Sequence, residues 1–505
     1  MRIFVRPSLK QYVNSEEVFR VITEGIRYFE YFEVPFPFDK YDQIYCPEFR
    51  ISAMENVGAI TYTESWLRDP AGISKSALTT TYYVKLHELS HMWFGDLVTM
   101  KWWNDTWIKE SFADYLGASC MIESDAFNNY AYREMLFLRF NSAAISADQL
   151  STTHPIMATV KHTEDAVNVF DAISYDKGAS VIHMMGYFFG KDVMKRAMRI
   201  YLKTHAWKNT VFSDFVAALE ESCKDSPDLK GFDVRAWVAT WLDKSGVNVL
   251  SLDLKSDKNK KITKFTVQQG FTLHGDKQLR SQAIDIAFYD DSCGEKVFPH
   301  VIIEDKEITE VKQVAGEKEP AAVLLNAHGQ GYCKTVIDPA SVAFFKKNLH
   351  KVKSDINRAL VWRTLWDMVH DNRCTVEDYF ELFKANIGTE QVANTIDFVY
   401  QKALYIAGVV FPFEAREKNT SIVLNCALKH LANLQDKADK LLVVSKAIAS
   451  MTDEELLLKW IEANKPIDAQ GKELIPGASL SAGQQFELLL NLALSPDFPR
   501  EEVEN

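Results

Sequence analysis

The chain has 505 residues, a formal net charge of −12 and 47% apolar side chains, which together indicate a folded protein of several domains. An acidic protein offers no basic surface to phosphate backbones or anionic lipids, so nucleic acid and membranes are not expected as partners. The longest apolar run, Ala403 to Phe413, is too short to cross a bilayer, so no membrane span is predicted. Seven scattered cysteines without metal-finger spacing favour free thiols and a cytoplasmic location.

Three regions of different periodicity follow one another along the chain. The first, residues 1–246, begins as mixed structure and then contains four amphipathic stretches that predict helices: Ser76 to Phe94, Thr106 to Ile122, Asp171 to Phe189, and Phe212 to Cys223. Residues 247–340 contain short alternating runs between Gly, Asp, Asn and Lys clusters, which is typical of a β-sandwich. The helical period returns over residues 341–505. The sequence thus predicts a multidomain α+β protein.

The first of these helical stretches contains His87-Glu88-Leu89-Ser90-His91. Residues four apart share one face of a helix, so the two histidines can offer both imidazoles to one metal ion. The five-residue pattern alone is also compatible with two ordinary helix-surface or core histidines. More ligands are needed before the pattern indicates a metal site.

Glu110, nineteen positions after His91, supplies a third candidate ligand on the next predicted helix. Gly95 can end the first helix, and Asn104 or Asp105 can cap the second, so the two helices can pack side by side. Two histidines, one carboxylate and one open position form a catalytic zinc site, whereas a structural zinc would more often be closed by cysteines.

Two acidic residues near these ligands have candidate roles. Glu88 directly follows the first ligand and points at an angle to the metal, where it can take a proton from the metal-bound water as general base. Asp114, one turn after Glu110, can hydrogen-bond the outer nitrogen of a ligand histidine, although an ordinary surface aspartate is an equal alternative.

Four strings and Glu110 stand in order between residues 40 and 179: KYDQ, Ser52-Ala53-Met54-Glu55-Asn56, HELSHMWFGDLVTMKWWNDTW, then Glu110, and FDAISYDKGA. In this order they resemble the diagnostic strings of the aminopeptidase N family of zinc peptidases, and weaker similarity spans the rest of the chain. The resemblance implies a thermolysin-like catalytic domain at 1–246, a β-sandwich domain at 247–340 and a HEAT-like helical domain at 341–505. It also implies one zinc ion per chain, held by His87, His91 and Glu110, and peptide substrates with a free N-terminus.

The Ser52-Ala53-Met54-Glu55 segment is similar to the family's Gly-Ala-Met-Glu exopeptidase motif. By this resemblance Glu55 holds the protonated amine of the substrate, which distinguishes a chain end from an internal peptide bond. Backbone groups of Ala53 and Met54 are expected to align the peptide as an added strand. Ser52 stands where glycine is usual, which alters the loop or crowds the second substrate residue. Two roles stay open for Ile51: it lines the pocket for the first side chain of the substrate, or it is a core residue.

Tyr175, in the FDAISYDKGA string, matches the family tyrosine whose phenol donates a hydrogen bond to the oxyanion. Ile108, Lys109 and Ser111 replace common family residues at positions that should not bind metal. By the same resemblance, we expect this chain to lack the family's amino-terminal β-domain and to have a truncated helical domain, which would leave apolar surface exposed.

The sequence leaves three functions open. A zinc-dependent aminopeptidase fits the metal motif together with Glu55. A zinc endopeptidase or an epoxide-hydrolysing relative shares the metal ligands but fits Glu55 and the predicted sandwich less well. A catalytically impaired homologue that only binds peptides is the third alternative.

Overall fold

The computed structural model of the chain describes residues 1–67, 75–127, 140–451, 453–468 and 470–493. The chain forms two compact units: Met1–Arg68 with Thr79–Ser341, and Asp69–Leu78 with Val342–Asn505. Helices and strands are mixed in the first unit and helices predominate in the second, so the predicted α+β class is confirmed. The predicted boundaries at residues 246 and 340 stay predictions.

A four-stranded sheet lies near the start of the first unit, with strand order β1-β2-β4-β3. Its strands are Ile3–Phe4 (β1), Asp42–Cys46 (β2), Ala53–Met54 (β3) and Ala59–Thr63 (β4); Val98–Met100 (β5) and Lys208–Thr210 (β6) form a separate parallel pair. Strands β1, β2 and β4 are parallel, whereas β3 runs antiparallel to β4. Strand β3 is therefore an edge strand, and it forms part of the segment from Ser52 to Glu55.

Among the described residues up to 242, the α-helices are Ser15–Phe29 (α1), Lys75–Ser90 (α2), Thr106–Glu123 (α3), Ser142–Asp148 (α4), Gly178–Phe189 (α5), Lys191–His205 (α6), Phe212–Cys223 (α7) and Val234–Leu242 (α8). The four predicted amphipathic helices correspond to α2, α3, α5 and α7. The predicted helix from Asp171 to Phe189 is longer than α5, because residues Ile173–Lys177 form a separate π-helical turn.

Two predicted details at the ends of α2 and α3 are wrong. Helix α2 ends at Ser90, and Gly95 lies in the turn that follows, where its φ of 130° suits glycine and its N–H donates to the carbonyl of Val98. Asp105 precedes α3, but its side chain makes no capping hydrogen bond. Its backbone, at φ −100° and ψ 7°, lacks the extended conformation that directs a cap side chain back to the helix.

Residues 248–336 form two sheets that share one apolar core. The strands are Asn248–Ser256 (β7), Ile262–Phe271 (β8), Gln282–Tyr289 (β9), Glu295–Ile303 (β10), Ile308–Glu310 (β11), Ala322–Ala327 (β12) and Lys334–Val336 (β13). One sheet has the order β10-β9-β12 and the other β11-β8-β7-β13. The core contains Leu250 and Val267 from the second sheet and Ile284 and Ile286 from the first. Strand β9 is buried at every position, so its alternating pattern does not mark a solvated face.

The last region is helical, as the sequence predicts. Its helices are Pro339–Asn348 (α9), Asp355–His370 (α10), Val376–Asn386 (α11), Ala393–Tyr405 (α12), Phe413–Asn433 (α13), Lys437–Ala449 (α14), Glu454–Ala463 (α15) and Ala482–Ala493 (α16). Side chains of Ser354, Thr375 and Asp453 accept hydrogen bonds from the first turns of α10, α11 and α15, which fixes where these helices begin. Within the part of the chain that the structure describes, every helix is too short or too polar to traverse a lipid bilayer.

Candidate metal centre

Helices α2 and α3 bring the two histidines and Glu110 together. Helix α2 is buried over most of its length, as expected for a helix that packs inside the unit rather than on its surface. Gly117 on α3 lets the two helices approach closely, because a Cβ at this position would lie 3.1 Å from the backbone nitrogen of His87. A larger residue at 117 would push apart the two helices that carry the candidate ligands.

The three predicted ligands present their polar atoms to one another. The Nε2 atoms of His87 and His91 lie 3.1 Å apart, and Oε2 of Glu110 lies 3.6 Å from the first and 3.4 Å from the second. A tetrahedral zinc ion with bonds of about 2.1 Å separates its ligand atoms by about 3.4 Å. The donor set and its spacing therefore fit a metal ion, as the sequence predicts.

The other ring nitrogen, Nδ1, of each histidine faces an oxygen atom. Nδ1 of His91 lies 2.9 Å from the carbonyl oxygen of Phe94, and Nδ1 of His87 lies 2.7 Å from Oδ1 of Asp114. The carbonyl acceptor at Nδ1 of His91 favours the tautomer whose Nε2 can bind a metal, and the carboxylate of Asp114 lies in the corresponding position for His87. Asp114 thus occupies the supporting position that the sequence suggests, and the hydroxyl of Tyr83 also donates to it.

Glu88 lies beside the ligands with a poorly solvated carboxylate. It is 5% exposed, and its Oε2 atom has no hydrogen-bond partner among the described residues. Burial raises the pKa of Glu88 to about 7, against the opposing charges of His87 and His91. A carboxylate with a pKa near neutrality and an unused acceptor oxygen is suited to take up and release a proton.

Edge strand β3 leads directly to Glu55, which is 8% exposed. One polar atom each of Glu55, Glu88 and His91 lies within 4.8 Å of the others, so Glu55 stands next to the ligand cluster. Burial would raise the pKa of Glu55, but the charges of His91 and Lys109 hold it below its usual value. Glu55 is therefore ionised, and its carboxylate accepts a hydrogen bond from Nζ of Lys109.

Tyr175 lies in the π-helical turn before α5, with its ring stacked at a centroid distance of 6.4 Å from that of His87. Burial and the charges of Glu110 and Asp114 raise its pKa, so the phenol is protonated and can donate. Asp171 holds this turn, since its Oδ1 accepts the N–H groups of residues 173 and 174 at 3.0 and 2.9 Å. Nε2 of His154 lies 2.7 Å from the other carboxylate oxygen.

A cavity of about 1260 Å³ contains most of these groups. Its walls include Ile51, Ser52, Ala53, Met54, Glu55, His87, Glu88, Lys109, Glu110, Asp114 and Tyr175. Ile51 lines the cavity and is 52% exposed, so the core alternative for this residue is wrong. Trp66 donates its indole N–H to the carbonyl oxygen and hydroxyl of Ser52, at 3.1 and 3.2 Å, which fixes the start of the motif.

Two parts of the site have no signal in the sequence. Lys109 is predicted only not to bind the metal, and the sequence does not indicate that its ammonium contacts both Glu55 and Glu110. The ion pair of His154 with Asp171 supports the Tyr175 turn. Both contacts join residues far apart in the chain, so no local pattern predicts them.

Comparison with known proteins identifies the family. Residues 19–241 match the model of the peptidase family M1 domain, and residues 322–475 match that of the ERAP1-like C-terminal domain. The chain contains a peptidase family M1 domain. The family resemblance seen in the sequence is thereby confirmed, and the M1 match contains all three candidate metal ligands.

Several known proteins align with the chain. Aminopeptidase N of Streptomyces lividans is 33% identical over 99% of this chain and 58% of its own length. The tricorn protease-interacting factor F2 of Thermoplasma acidophilum is 29% identical over 78% of this chain and 47% of its own length. Aminopeptidase N of Homo sapiens is 34% identical over 50% of this chain and 26% of its own length. The chain thus spans about half the length, or less, of these relatives.

Proposed function

We propose that the protein is a zinc-dependent aminopeptidase that hydrolyses the first peptide bond of peptides with a free N-terminus. The observation that carries the proposal is the position of Glu55, an ionised and buried carboxylate beside the ligand cluster. An anionic group at this distance from the reaction centre can pair with a substrate ammonium only when the scissile bond is the first one. The match to a peptidase family domain and the aminopeptidase names of relatives add support.

The edge of β3 supplies a means to orient the peptide. Among the described residues no strand pairs with its outer edge, and Ala53 and Met54 line the cavity. An extended peptide can hydrogen-bond to such an edge as an added strand and thus keep its amino end in register with Glu55. Ile51, which is exposed on the cavity wall, would contact a substrate side chain.

Zinc would be held by His87, His91 and Glu110, and when bound it supplies Lewis acidity toward a carbonyl and a water molecule. Glu88 accepts the proton of the attacking water and passes it to the leaving nitrogen. Tyr175 donates its phenolic hydrogen to the oxygen of the scissile carbonyl as negative charge develops there. Hydrolysis is then complete without a covalent enzyme intermediate.

The finer architecture belongs to the same proposal. We assign a thermolysin-like domain to residues 1–246, a β-sandwich domain to 247–340 and a HEAT-like domain to 341–505. The two sheets with a shared core and the helices α9 to α16 of the described residues support the last two assignments. A cytoplasmic location stays a prediction from the sequence.

Metal analysis combined with a panel of aminoacyl anilides tests the function. We expect about one zinc ion per chain and release of the anilide from one or more substrates with a free amine. The N-acetylated form of the best substrate is the matched control, and it should be cleaved at least a hundredfold more slowly. Equal cleavage of both forms would favour an endopeptidase. Zinc binding without any hydrolysis would favour the peptide-binding alternative.

A further inference from the structure

Lys109 places an internal ammonium group at the carboxylate that the proposed function gives to the substrate amine. Its Nζ donates to Oε1 of Glu55 and lies 2.7 Å from Oε1 of Glu110. Both contacts are shielded from water, since the side chains of Lys109, Glu55 and Glu110 are 18%, 11% and 5% exposed. The lysine therefore forms a buried bridge between the amine-binding residue and a metal ligand.

The two oxygens of Glu110 have different partners. Oε2 faces Nε2 of His87 and His91, whereas Oε1 faces the lysine. A metal bound through Oε2 leaves the Lys109 contact with Oε1 intact. The contact with Glu55 is the one in conflict with a substrate, because a second ammonium ion has to reach the same carboxylate.

The stem of Lys109 restricts where its ammonium can go. A Cβ on Gly95 would lie 3.3 Å from Cδ and 3.5 Å from Cβ of Lys109, so the turn after α2 packs against this stem. The backbone of Lys109 is fixed in α3, one position before Glu110. When a substrate amine displaces the Lys109 ammonium from Glu55, the ammonium therefore stays bound to Glu110. It moves between two carboxylates and does not enter the solvent.

We propose that Lys109 is a specificity-determining residue that competes with the substrate ammonium for Glu55 and so lowers the affinity of the site for free amines. The inference rests on the proposed function. Lys109 returns to Glu55 as the amine leaves, and this return favours release of a product that carries an amine. A neutral side chain at position 109 removes the competitor and strengthens amine binding.

The test is a matched pair of ligands that differ only in the amine. Leucine hydroxamate carries the α-amine and 4-methylpentanoyl hydroxamate lacks it, and both offer the same group to zinc. Calorimetry on the zinc-loaded full chain gives a Kd for each, and their ratio reports amine recognition alone. We expect Lys109→Gln to raise this preference for the amine by about tenfold, the change that corresponds to loss of one partly buried competing ion pair.

Four further variants separate charge from structure. Lys109→Arg should keep the wild-type ratio, and Lys109→Met should behave like Lys109→Gln while retaining the apolar stem. Glu55→Ala should abolish the preference, and Lys230→Gln, an exposed lysine of the same unit, should leave it unchanged. Zinc content is measured in each, and the Lys109 variants should keep the wild-type stoichiometry.

Other results would overturn the inference. An unchanged or lower ratio in Lys109→Gln would mean that the lysine orients Glu55 rather than competing for it. Loss of zinc from this variant would mean that Lys109 acts through Glu110. A wild-type chain that binds zinc but does not distinguish the two hydroxamates would refute the proposed function, and the Lys109 inference with it. Discrimination by the wild type without a response to Lys109→Gln would refute the Lys109 inference alone.

Discussion

The substitution Glu88→Gln separates the chemistry of the site from its stability. Glutamine has nearly the same shape as glutamate, so the ligands on either side of position 88 should keep their places. The change removes a proton acceptor from the site and also removes a buried charge from the protein. These two effects have opposite consequences, one for catalysis and one for folding.

Catalysis by the zinc-loaded variant should fall because glutamine cannot accept a proton. A positioned general base contributes about 10²- to 10⁴-fold to the rate, so kcat for the best aminoacyl anilide should fall by a factor in that range. The KM should change by less than about threefold, because Glu88 removes a proton rather than binding the amine. Zinc content should equal that of the wild type.

The metal-free variant should gain stability at alkaline pH. Burial raises the pKa of Glu88 from 4.5 to about 7, so the folded state favours the protonated form. Stability from this group is fully present below pH 4.5 and is lost as the pH rises to about 7 and beyond. The shift corresponds to about 3 kcal/mol of unfolding free energy. Glutamine does not titrate, so its advantage over glutamate should grow by about this amount between pH 4 and pH 8.

Urea unfolding of both metal-free chains at these two pH values measures the effect. Tryptophan fluorescence reports unfolding, and a chelator keeps both chains free of zinc. Glu417→Gln, at an exposed position, is the matched control and should show no comparable change between the two pH values. A stability difference between Glu88→Gln and the wild type that is the same at pH 4 and pH 8 would refute the reasoning about the buried carboxylate.

Three other substitutions test separate parts of the site. Tyr175→Phe should lower kcat by about 10²- to 10³-fold with little change in KM, since one oxyanion donor is lost; an unchanged kcat would exclude this role. Asp114→Ala should weaken zinc affinity by about 10- to 100-fold in chelator competition, because His87 loses its Nδ1 acceptor. Asp171→Ala should lower kcat at full zinc content by releasing the turn that carries Tyr175; a wild-type rate would show that the turn holds without it.

Local sequence patterns predicted the elements that carry the site. The four amphipathic stretches of the first region correspond to helices. Helices α2 and α3 are nevertheless buried at most positions rather than on one face alone. The spacing of His87 and His91 is also local, since four positions on a helix bring two side chains to the same face. Helix ends were less predictable. Asp105 has a capping residue type, but its backbone conformation depends on the preceding turn.

Other features depend on contacts that only the folded chain makes. Lys109 contacts Glu55, which is 54 positions away in the sequence, and His154 contacts Asp171, which is 17 positions away. Neither contact produces a periodic sequence pattern. The uniform burial of β9 likewise depends on the residues that pack against its two faces. The alternating sequence pattern of the strand does not indicate those residues.

The sequence by itself identified the family through the resemblance of its strings, and it identified the three candidate ligands and Glu88 through residue types at fixed spacings along helices. The tertiary structure decided how close the ligand atoms lie, which ring nitrogens face a metal and which charges surround Glu55. The physical reason is the difference in the range of the interactions involved. Helical periodicity acts over a few residues, whereas pKa values and ion pairs depend on every group that folding brings within a few ångströms.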